Sequence, residues 1–262
     1  MSVRLFCLPY AGASAQMYRT WARELGPSVL VTPVELPGRG SRAGERPASE
    51  LEPLLRDLSA FVLRMCDRPF ALFGHGFGAL LAYEIAARLE RRYDRVAERL
   101  FVSGHGSPGH VQRGTPRSRL PPDAFLHQIR DLFASARRTI ADPAATRRVL
   151  PVMRADFALA EAYRARPDDV LHCPIAVLAG RSDASTDRAA LAGWRTYTRR
   201  YCRVRVFPGD HLFLHTAAAQ LLTTLETDLS ASIAGRNPTA QLAVAGGFPH
   251  GLINQAGGVA EV

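Results

Sequence analysis

The chain has 262 residues, of which 47% are hydrophobic and 22% are charged, and such proportions are typical of one globular domain with its own core. The formal net charge of +9 includes 33 basic residues, all of them arginine. Because these are scattered rather than grouped in a stripe, nucleic-acid binding is not favoured, although the charge would favour an acidic partner. The 4 cysteines form no C-x-x-C pair, which excludes a zinc module and predicts reduced thiols in a cytoplasmic protein.

Membrane insertion is not expected either. No window of the sequence approaches the roughly 18 apolar residues of a membrane span. The apolar run at residues 5–8 is too short for the core of a signal peptide. We therefore expect a cytoplasmic protein that does not bind a membrane.

Short apolar runs alternate with longer helical patterns along the chain, which is typical of a mostly parallel sheet with crossover helices. The predicted strands are residues 4–8, 29–34, 70–73, 99–102, 175–179 and 203–207. The predicted helices include residues 17–25, 50–65, 79–92 and 217–233. In the third of these, Leu81, Ile85 and Leu89 recur every four residues and predict one apolar stripe.

Between residues 106 and 173 the pattern changes. Few strand signals occur there, and two helical patterns, 122–134 and 143–166, lie between consecutive strands. An insertion of this size typically covers the strand ends, so we predict a lid over about residues 107–170. Residues 236–262 are rich in Gly, Ala and Asn, and we predict a flexible tail that follows a domain of residues 1–235.

The clearest local signal is at residues 70–80, where a buried strand leads through a glycine-rich turn into an amphipathic helix. The turn reads Gly74-His75-Gly76-Phe77-Gly78. This is the context of the G-x-S-x-G nucleophile elbow, in which small flanking residues allow a strained turn that exposes the nucleophile above the sheet. Here the central residue is Gly76 rather than serine.

Two candidate partners for an elbow follow in the order acid, then histidine, each after a predicted strand. Asp183 follows strand 175–179, and His211 follows strand 203–207. The main-chain N–H groups of Phe77 and Ala11 are candidates for an oxyanion hole. An isolated Asp in such a turn is usually only a turn former. The three pieces in order, however, predict an α/β-hydrolase fold, with a mostly parallel central sheet flanked by helices and a helical lid.

The sequence resembles the stand-alone (type II) thioesterases of polyketide synthase and nonribosomal peptide synthetase pathways over about residues 3 to 230. The matching stretches are the elbow and residues 5–12, 35–42 with Glu45 and Pro47, 154–157, 173–175, Trp194 with Thr198, and 207–214. In that family the elbow serine attacks an acyl thioester on the phosphopantetheine arm of a carrier protein, and the acyl-enzyme is then hydrolysed. The resemblance implies an acyl or peptidyl carrier protein as partner, a small acyl substrate and no cofactor or metal of its own. We also expect a monomer.

The chain departs from the family pattern at several places. Gly76 occupies the position of the serine. The stretch that is usually rich in Arg-Ala-Pro after the next strand reads Ser103-Gly104-His105-Gly106-Ser107-Pro108. The lid segment that commonly carries a Gly-Gly-Thr-Pro turn is here residues 133–138, and the tail beyond residue 234 is extra.

Glycine has no nucleophilic side chain, so three interpretations remain open. The chain is a thioesterase impaired in serine-type hydrolysis, through engineering or natural decay. Alternatively, His211 oriented by Asp183 acts directly as a general base in hydrolysis, cyclisation or dehydration of a carrier-bound intermediate. In the third interpretation the chain is a carrier-protein binder without catalysis.

Neighbouring residues offer weak substitutes for the missing serine. We expect Cys7 to be buried in the first strand and Ser14 to cap the following helix. His75 is expected to pack or to form a hydrogen bond, and His105, which is unusual for the family, is a candidate for facing the pocket.

Arg137 and Arg138 in the lid are candidate contacts to an acidic carrier-protein helix or its phosphate.

Overall fold

A seven-stranded sheet forms the centre of the protein, whose computed structural model describes residues 2–110, 115–132, 143–166, 169–234 and 260–261. The strands are β1 (Val3–Leu8), β2 (Val29–Pro33), β3 (Phe70–His75), β4 (Leu100–Ser103), β5 (Ile175–Gly180), β6 (Cys202–Phe207) and β7 (Ala260–Glu261). The spatial order is β2-β1-β3-β4-β5-β6-β7. Strands β1 to β6 are parallel and β7 is antiparallel to β6. The predicted mostly parallel sheet is therefore confirmed.

The central strands are apolar because helices cover both faces of the sheet. Every residue of β3, β4 and β5 is buried, as expected for parallel strands covered on both faces. The six predicted strands agree with β1 to β6 within two residues at each end. Strand β6 is less buried and carries Arg203 and Arg205, because it lies near the edge of the sheet.

The described residues contain eight α-helices. They are α1 (Trp21–Glu24), α2 (Leu51–Met65), α3 (Phe77–Tyr93), α4 (Pro122–Leu132), α5 (Pro143–Ala162), α6 (Arg188–Ala192), α7 (Phe213–Thr216) and α8 (Ala218–Ala234). No described helix is long and apolar enough to cross a membrane.

The prediction of one helix over residues 17–25 is wrong. The structure has a 3-10 turn, Ala15–Tyr18, and the separate short helix α1. Tyr18 donates a hydrogen bond to the main-chain oxygen of Leu8 at 2.8 Å, and both Tyr18 and Trp21 pack edge-on against Phe73. These tertiary contacts hold the segment in two short turns and override its local helical pattern.

The predicted single apolar stripe on the third helix underestimates its burial. All residues of α3 from Phe77 to Leu89 are buried, including Glu84 and Arg88. The helix is covered by β1, β3 and β4 on one side and by α2 and α5 on others. Each of these two buried charged side chains has a partner, Tyr163 for Glu84 and Glu52 for Arg88.

Helices α4 and α5 lie between β4 and β5, where the helical insertion was predicted. Residues 133–142 between them, including Arg137 and Arg138, lie outside the described residues, as do residues 236–259 and residue 262 of the predicted tail. The boundaries of the lid and of the domain therefore stay predictions. Helix α5 contacts α3, so the insertion packs above the helix that follows the elbow.

The start of α3 and the end of β1 approach each other so closely that only glycine is tolerated. A Cβ atom on Gly78 would lie 2.3 Å from the main-chain oxygen of Leu8 and 2.6 Å from that of Pro9. Both contacts are with backbone, which cannot move aside as a flexible side chain does.

Gly78→Ala is therefore expected to lower the free energy of unfolding by about 3 kcal/mol or more, because the extra carbon forces β1 and α3 apart. Urea unfolding followed by tryptophan fluorescence measures this. The matched control is Gly44→Ala, since a Cβ there meets nothing within 4 Å, and it should change stability by less than about 0.5 kcal/mol. Equal effects of the two variants would contradict the steric explanation.

Candidate active site

The turn between β3 and α3 has the geometry expected of a nucleophile elbow. Gly76 has φ +53° and ψ −121°, a backbone conformation that residues with a Cβ rarely adopt. Its N–H donates to the main-chain oxygen of Ser103 at 2.8 Å, and its own oxygen accepts from the N–H of Ala79 at 2.9 Å. The turn is thus held by β4 on one side and by the first turn of α3 on the other.

Asp183 and His211, which follow β5 and β6, form a buried pair. Nδ1 of His211 donates to Oδ2 of Asp183 at 2.9 Å, and both side chains are at most 7% exposed. Burial of Asp183 would by itself raise the pKa of its carboxyl, but hydrogen bonds from His211 and Ser185 lower that pKa below its usual value. The carboxylate is therefore ionised at neutral pH and can stabilise a protonated imidazole.

Ser185 is a member of this arrangement that the sequence reasoning missed. Its hydroxyl donates to Oδ1 of Asp183 at 2.6 Å and lies 3.1 Å from Nδ1 of His211. Its main-chain N–H also donates to Oδ1 of Asp183 at 2.9 Å. Asp183 is thus a turn former and the histidine partner at once, and the Asp-x-Ser spacing of such turns is the signal that could have pointed to Ser185.

Gly76 lies opposite the outer nitrogen of the histidine. A Cβ on Gly76 would lie 3.5 Å from Nε2 of His211 and 3.3 Å from Cβ of Tyr10. A side chain at position 76 would therefore lie between Tyr10 and the His211 ring, within reach of a hydrogen bond to Nε2. The structure brings Gly76, Asp183 and His211 together in the order that the sequence predicts.

The two predicted oxyanion-hole residues both line the same cavity. Phe77 is the first residue of α3, and N–H groups at that position have no acceptor within the helix. Ala11 lies in the turn after β1. Both border the cavity next to Gly76, so both stay candidates for an oxyanion hole.

The turn that contains Ala11 is held in place by a buried ion pair. The N–H of Gly12 donates to Oδ2 of Asp156 at 2.8 Å, and Asp156 is on the lid helix α5. Both oxygens of Asp156 also accept from the guanidinium of Arg39, with Nη2 to Oδ1 at 2.8 Å. The Arg39 and Asp156 side chains are only 6% and 2% exposed. This contact ties the lid, the loop after β2 and the candidate oxyanion turn together.

A cavity of about 650 Å³ lies above the strand ends and under the lid. Helices α3, α4 and α5 contribute Leu80, Leu132, Phe157 and Ala160 to its wall. The loops after β4 and β5 contribute His105, His110, Ser185 and Thr186. At the end of α5, Tyr163 also lines the cavity and donates to Oε1 of Glu84 at 2.5 Å.

The structure also locates the other residues near the elbow that the sequence analysis considered. Cys7 is fully buried in β1, and Ser14 accepts from the N–H of Gln16 at the start of the 3-10 turn, so both expectations are confirmed. Neither borders the cavity. His75 is buried with Nδ1 2.8 Å from Oγ of Ser103, and His105 does line the cavity. Among the described residues no group of three or more His, Cys, Asp or Glu side chains could hold a metal ion.

A parallel sheet with an elbow after one strand and an Asp–His pair after two later strands defines an α/β-hydrolase. The sequence profile of the family described as "Thioesterase domain" matches residues 3–229. The chain therefore belongs to the thioesterase family.

Several known proteins are similar to this chain. The linear gramicidin dehydrogenase LgrE of Brevibacillus parabrevis is 33% identical over 236 residues, which cover 89% of this chain and 90% of LgrE. The thioesterase PikA5 of Streptomyces venezuelae is 36% identical, over 82% of this chain and 76% of PikA5. The solved structure of the type II thioesterase BorB from the borrelidin biosynthetic cluster has a TM-score of 0.81 and 32% identity, and covers 87% of this chain and 93% of BorB.

The Arg39–Asp156 pair should be important for stability. Asp156→Asn is expected to lower the free energy of unfolding by about 3–5 kcal/mol, since it leaves the Arg39 guanidinium buried without a counter-charge. Urea unfolding measures this. The matched control is Glu45→Gln, which neutralises the partner of Arg42 in a pair whose carboxylate is 49% exposed, and its effect should be far smaller because water screens that pair. Similar losses in both variants would contradict a special role of the buried pair.

Proposed function

We propose that this chain acts on acyl or aminoacyl thioesters held by carrier proteins of polyketide or nonribosomal peptide pathways, and that it is impaired in serine-type hydrolysis. The observation that carries the proposal is Gly76 at the centre of an otherwise complete elbow, opposite the Asp183–His211 pair. Membership of the thioesterase family supports the substrate class. The substrate would arrive on the phosphopantetheine of the carrier protein, so the chain needs no cofactor of its own.

The impairment follows from the lack of a replacement nucleophile. Cys7 and Ser14 do not border the cavity. Ser185 does border it, but its hydroxyl lies beside Nδ1 of His211 and donates to Asp183. A serine nucleophile must instead give its proton to Nε2. None of these three residues therefore replaces the nucleophile that is missing at the elbow.

The intact Asp183–His211 pair favours a second candidate function, direct general-base catalysis. In hydrolysis by this route, Nε2 of His211 takes a proton from a water molecule while the water oxygen bonds to the thioester carbonyl carbon. The N–H groups of Phe77 and Ala11 stabilise the resulting oxyanion. The carbon–sulfur bond then breaks, the imidazolium returns the proton to the leaving thiolate, and a carboxylic acid and a thiol are released.

Restoring the nucleophile tests the main proposal. Gly76→Ser should raise the turnover of an acyl-N-acetylcysteamine thioester by at least about 10³-fold, because the hydroxyl lies within reach of His211. Spectrophotometric detection of the released thiol measures this. Gly76→Ala is the matched control, since it introduces the same Cβ and the same backbone strain without a hydroxyl, and it should not raise the rate. Fast turnover by the unmodified chain through a trapped acyl-enzyme would overturn the proposal.

The general-base route is tested in the unmodified chain. His211→Gln should lower the residual turnover by at least about 10²-fold, because the glutamine amide cannot accept a proton at neutral pH. The melting temperature checks that the variant is folded. Residual turnover that does not change in His211→Gln would exclude general-base catalysis by His211. No turnover above the uncatalysed rate in the unmodified chain would favour the carrier-protein binder without catalysis.

A further inference from the structure

The lid helix α5 packs directly against the turn that follows β1. A Cβ on Gly12 would lie 2.7 Å from Cε of Met153, 3.0 Å from Cβ of the same residue and 3.1 Å from Cγ1 of Val149. Val149, Met153 and Asp156 are spaced so that they lie on one face of the helix. The N–H of Gly12 donates to Oδ2 of Asp156 at 2.8 Å. One face of the lid helix therefore both packs on this turn and forms a hydrogen bond with it.

This turn is a β-turn of residues 10–13. The N–H of Ala13 donates to the main-chain oxygen of Tyr10 at 2.9 Å, and Gly12, in the third position, has φ +79°. Because Ala11 has a negative φ, the turn is type II rather than type I′. Type I and type II turns differ mainly by a rotation of the central peptide, which here joins Ala11 to Gly12. That rotation reverses the direction of the Gly12 N–H.

Asp156 selects between these two forms of the turn. In the observed form its carboxylate accepts the N–H of Gly12. In the type I form the main-chain oxygen of Ala11 would face the carboxylate instead, and two acceptors repel each other. The carboxylate also forms the buried ion pair with Arg39, so it cannot turn away without leaving that guanidinium buried without a counter-charge. The contact with the lid therefore holds the turn in the type II form.

The same turn borders the site of the proposed reaction. Tyr10 and Ala11 line the cavity, and a Cβ on Gly76 would lie 3.3 Å from Cβ of Tyr10. Ala11 is also the candidate oxyanion donor from this turn. Asp156 and Arg39 do not line the cavity, so they act on the site only through the turn.

We propose that Asp156 is a positioning residue, whose carboxylate on the lid helix fixes the turn beside Gly76, so that the oxyanion site is complete only while α5 lies on that turn. The inference rests on the proposed function, since it presupposes a reaction at Gly76 and His211. A lid helix that moves away from the turn releases the N–H of Gly12, and the turn can then change its form. Hydrolysis is thereby coupled to the position of the lid.

Hydrogen exchange at Gly12 tests the contact in the full-length chain without any turnover. In Asp156→Ala the amide proton of Gly12, followed by heteronuclear NMR, should exchange at least about 10-fold faster than in the unmodified chain, because it loses its acceptor. The matched control is Asp228→Ala, which removes the counter-charge of another buried arginine, Arg99, whose side chain is 4% exposed. Asp228 does not line the cavity, so this variant should leave exchange at Gly12 within about 3-fold of the unmodified chain.

Turnover of an acyl-N-acetylcysteamine thioester tests the consequence for the site. In the Gly76→Ser chain, Asp156→Ala should lower kcat by at least about 10-fold with KM little changed, since oxyanion stabilisation is an interaction of the transition state. Asp156→Asn should lower kcat by less than about 3-fold, because an amide oxygen at the Oδ2 position still accepts the N–H of Gly12, although this variant also loses the ion pair. Asp228→Ala in the same background should keep kcat. Circular dichroism at the assay temperature checks that each variant is folded.

A double variant keeps the test decisive if Asp156→Ala does not fold. Arg39→Met combined with Asp156→Ala leaves no guanidinium buried without a counter-charge, and it should show the same fast exchange and low kcat. Unchanged exchange at Gly12, an unchanged kcat, or an equal loss of kcat in Asp228→Ala would overturn the inference, and the ion pair would then act on stability alone. A Gly76→Ser chain without turnover would instead contradict the proposed function, while exchange at Gly12 would still decide whether Asp156 holds the turn.

Discussion

The close approach of α3 to the end of β1 is the constraint on which the rest of the site depends. Because Gly78 has no Cβ, the first turn of α3 can lie against the main-chain oxygens of Leu8 and Pro9. That contact puts Phe77, the first residue of α3, and Ala11, just beyond β1, beside the same cavity. The two candidate oxyanion donors come from segments more than sixty residues apart in the chain, and this backbone contact brings them together.

The sheet order supplies the other half of the arrangement. Strand β1 lies between β2 and β3, so the chain direction across the sheet reverses beside the elbow, at the kind of position where open α/β sheets bind ligands. Strands β4, β5 and β6 continue in order on the other side. Their carboxyl ends deliver Ser103, Asp183 and His211 to the same edge of the sheet. The lid then closes the site from above through Asp156, which binds the turn next to Ala11 and pairs with Arg39.

How much could be predicted from the sequence depended on how local each signal is. Gly76, Asp183 and His211 could be placed because each follows an apolar strand run within a few residues, and parallel strand ends share one edge. Asp156 and Arg39 are 117 residues apart, and nothing in either segment alone predicts that their side chains meet. The same holds for Tyr18 and Phe73, whose contact breaks the predicted helix at residues 17–25. Helix α3 is buried on all sides because the lid helix α5 also packs against it. The hydrophobic pattern within α3 alone does not predict that contact.

Fold stability alone can explain some of the residues at the site. Glycine at position 76 avoids a backbone strain of about 1–3 kcal/mol that a serine would impose at this φ and ψ, so glycine at this position does not weaken the fold. Loss of His211 or Asp183 would leave buried polar atoms of the other without a partner, at about 1–3 kcal/mol. The Asp183–His211 pair therefore also stabilises the fold, so its presence by itself does not demonstrate catalysis.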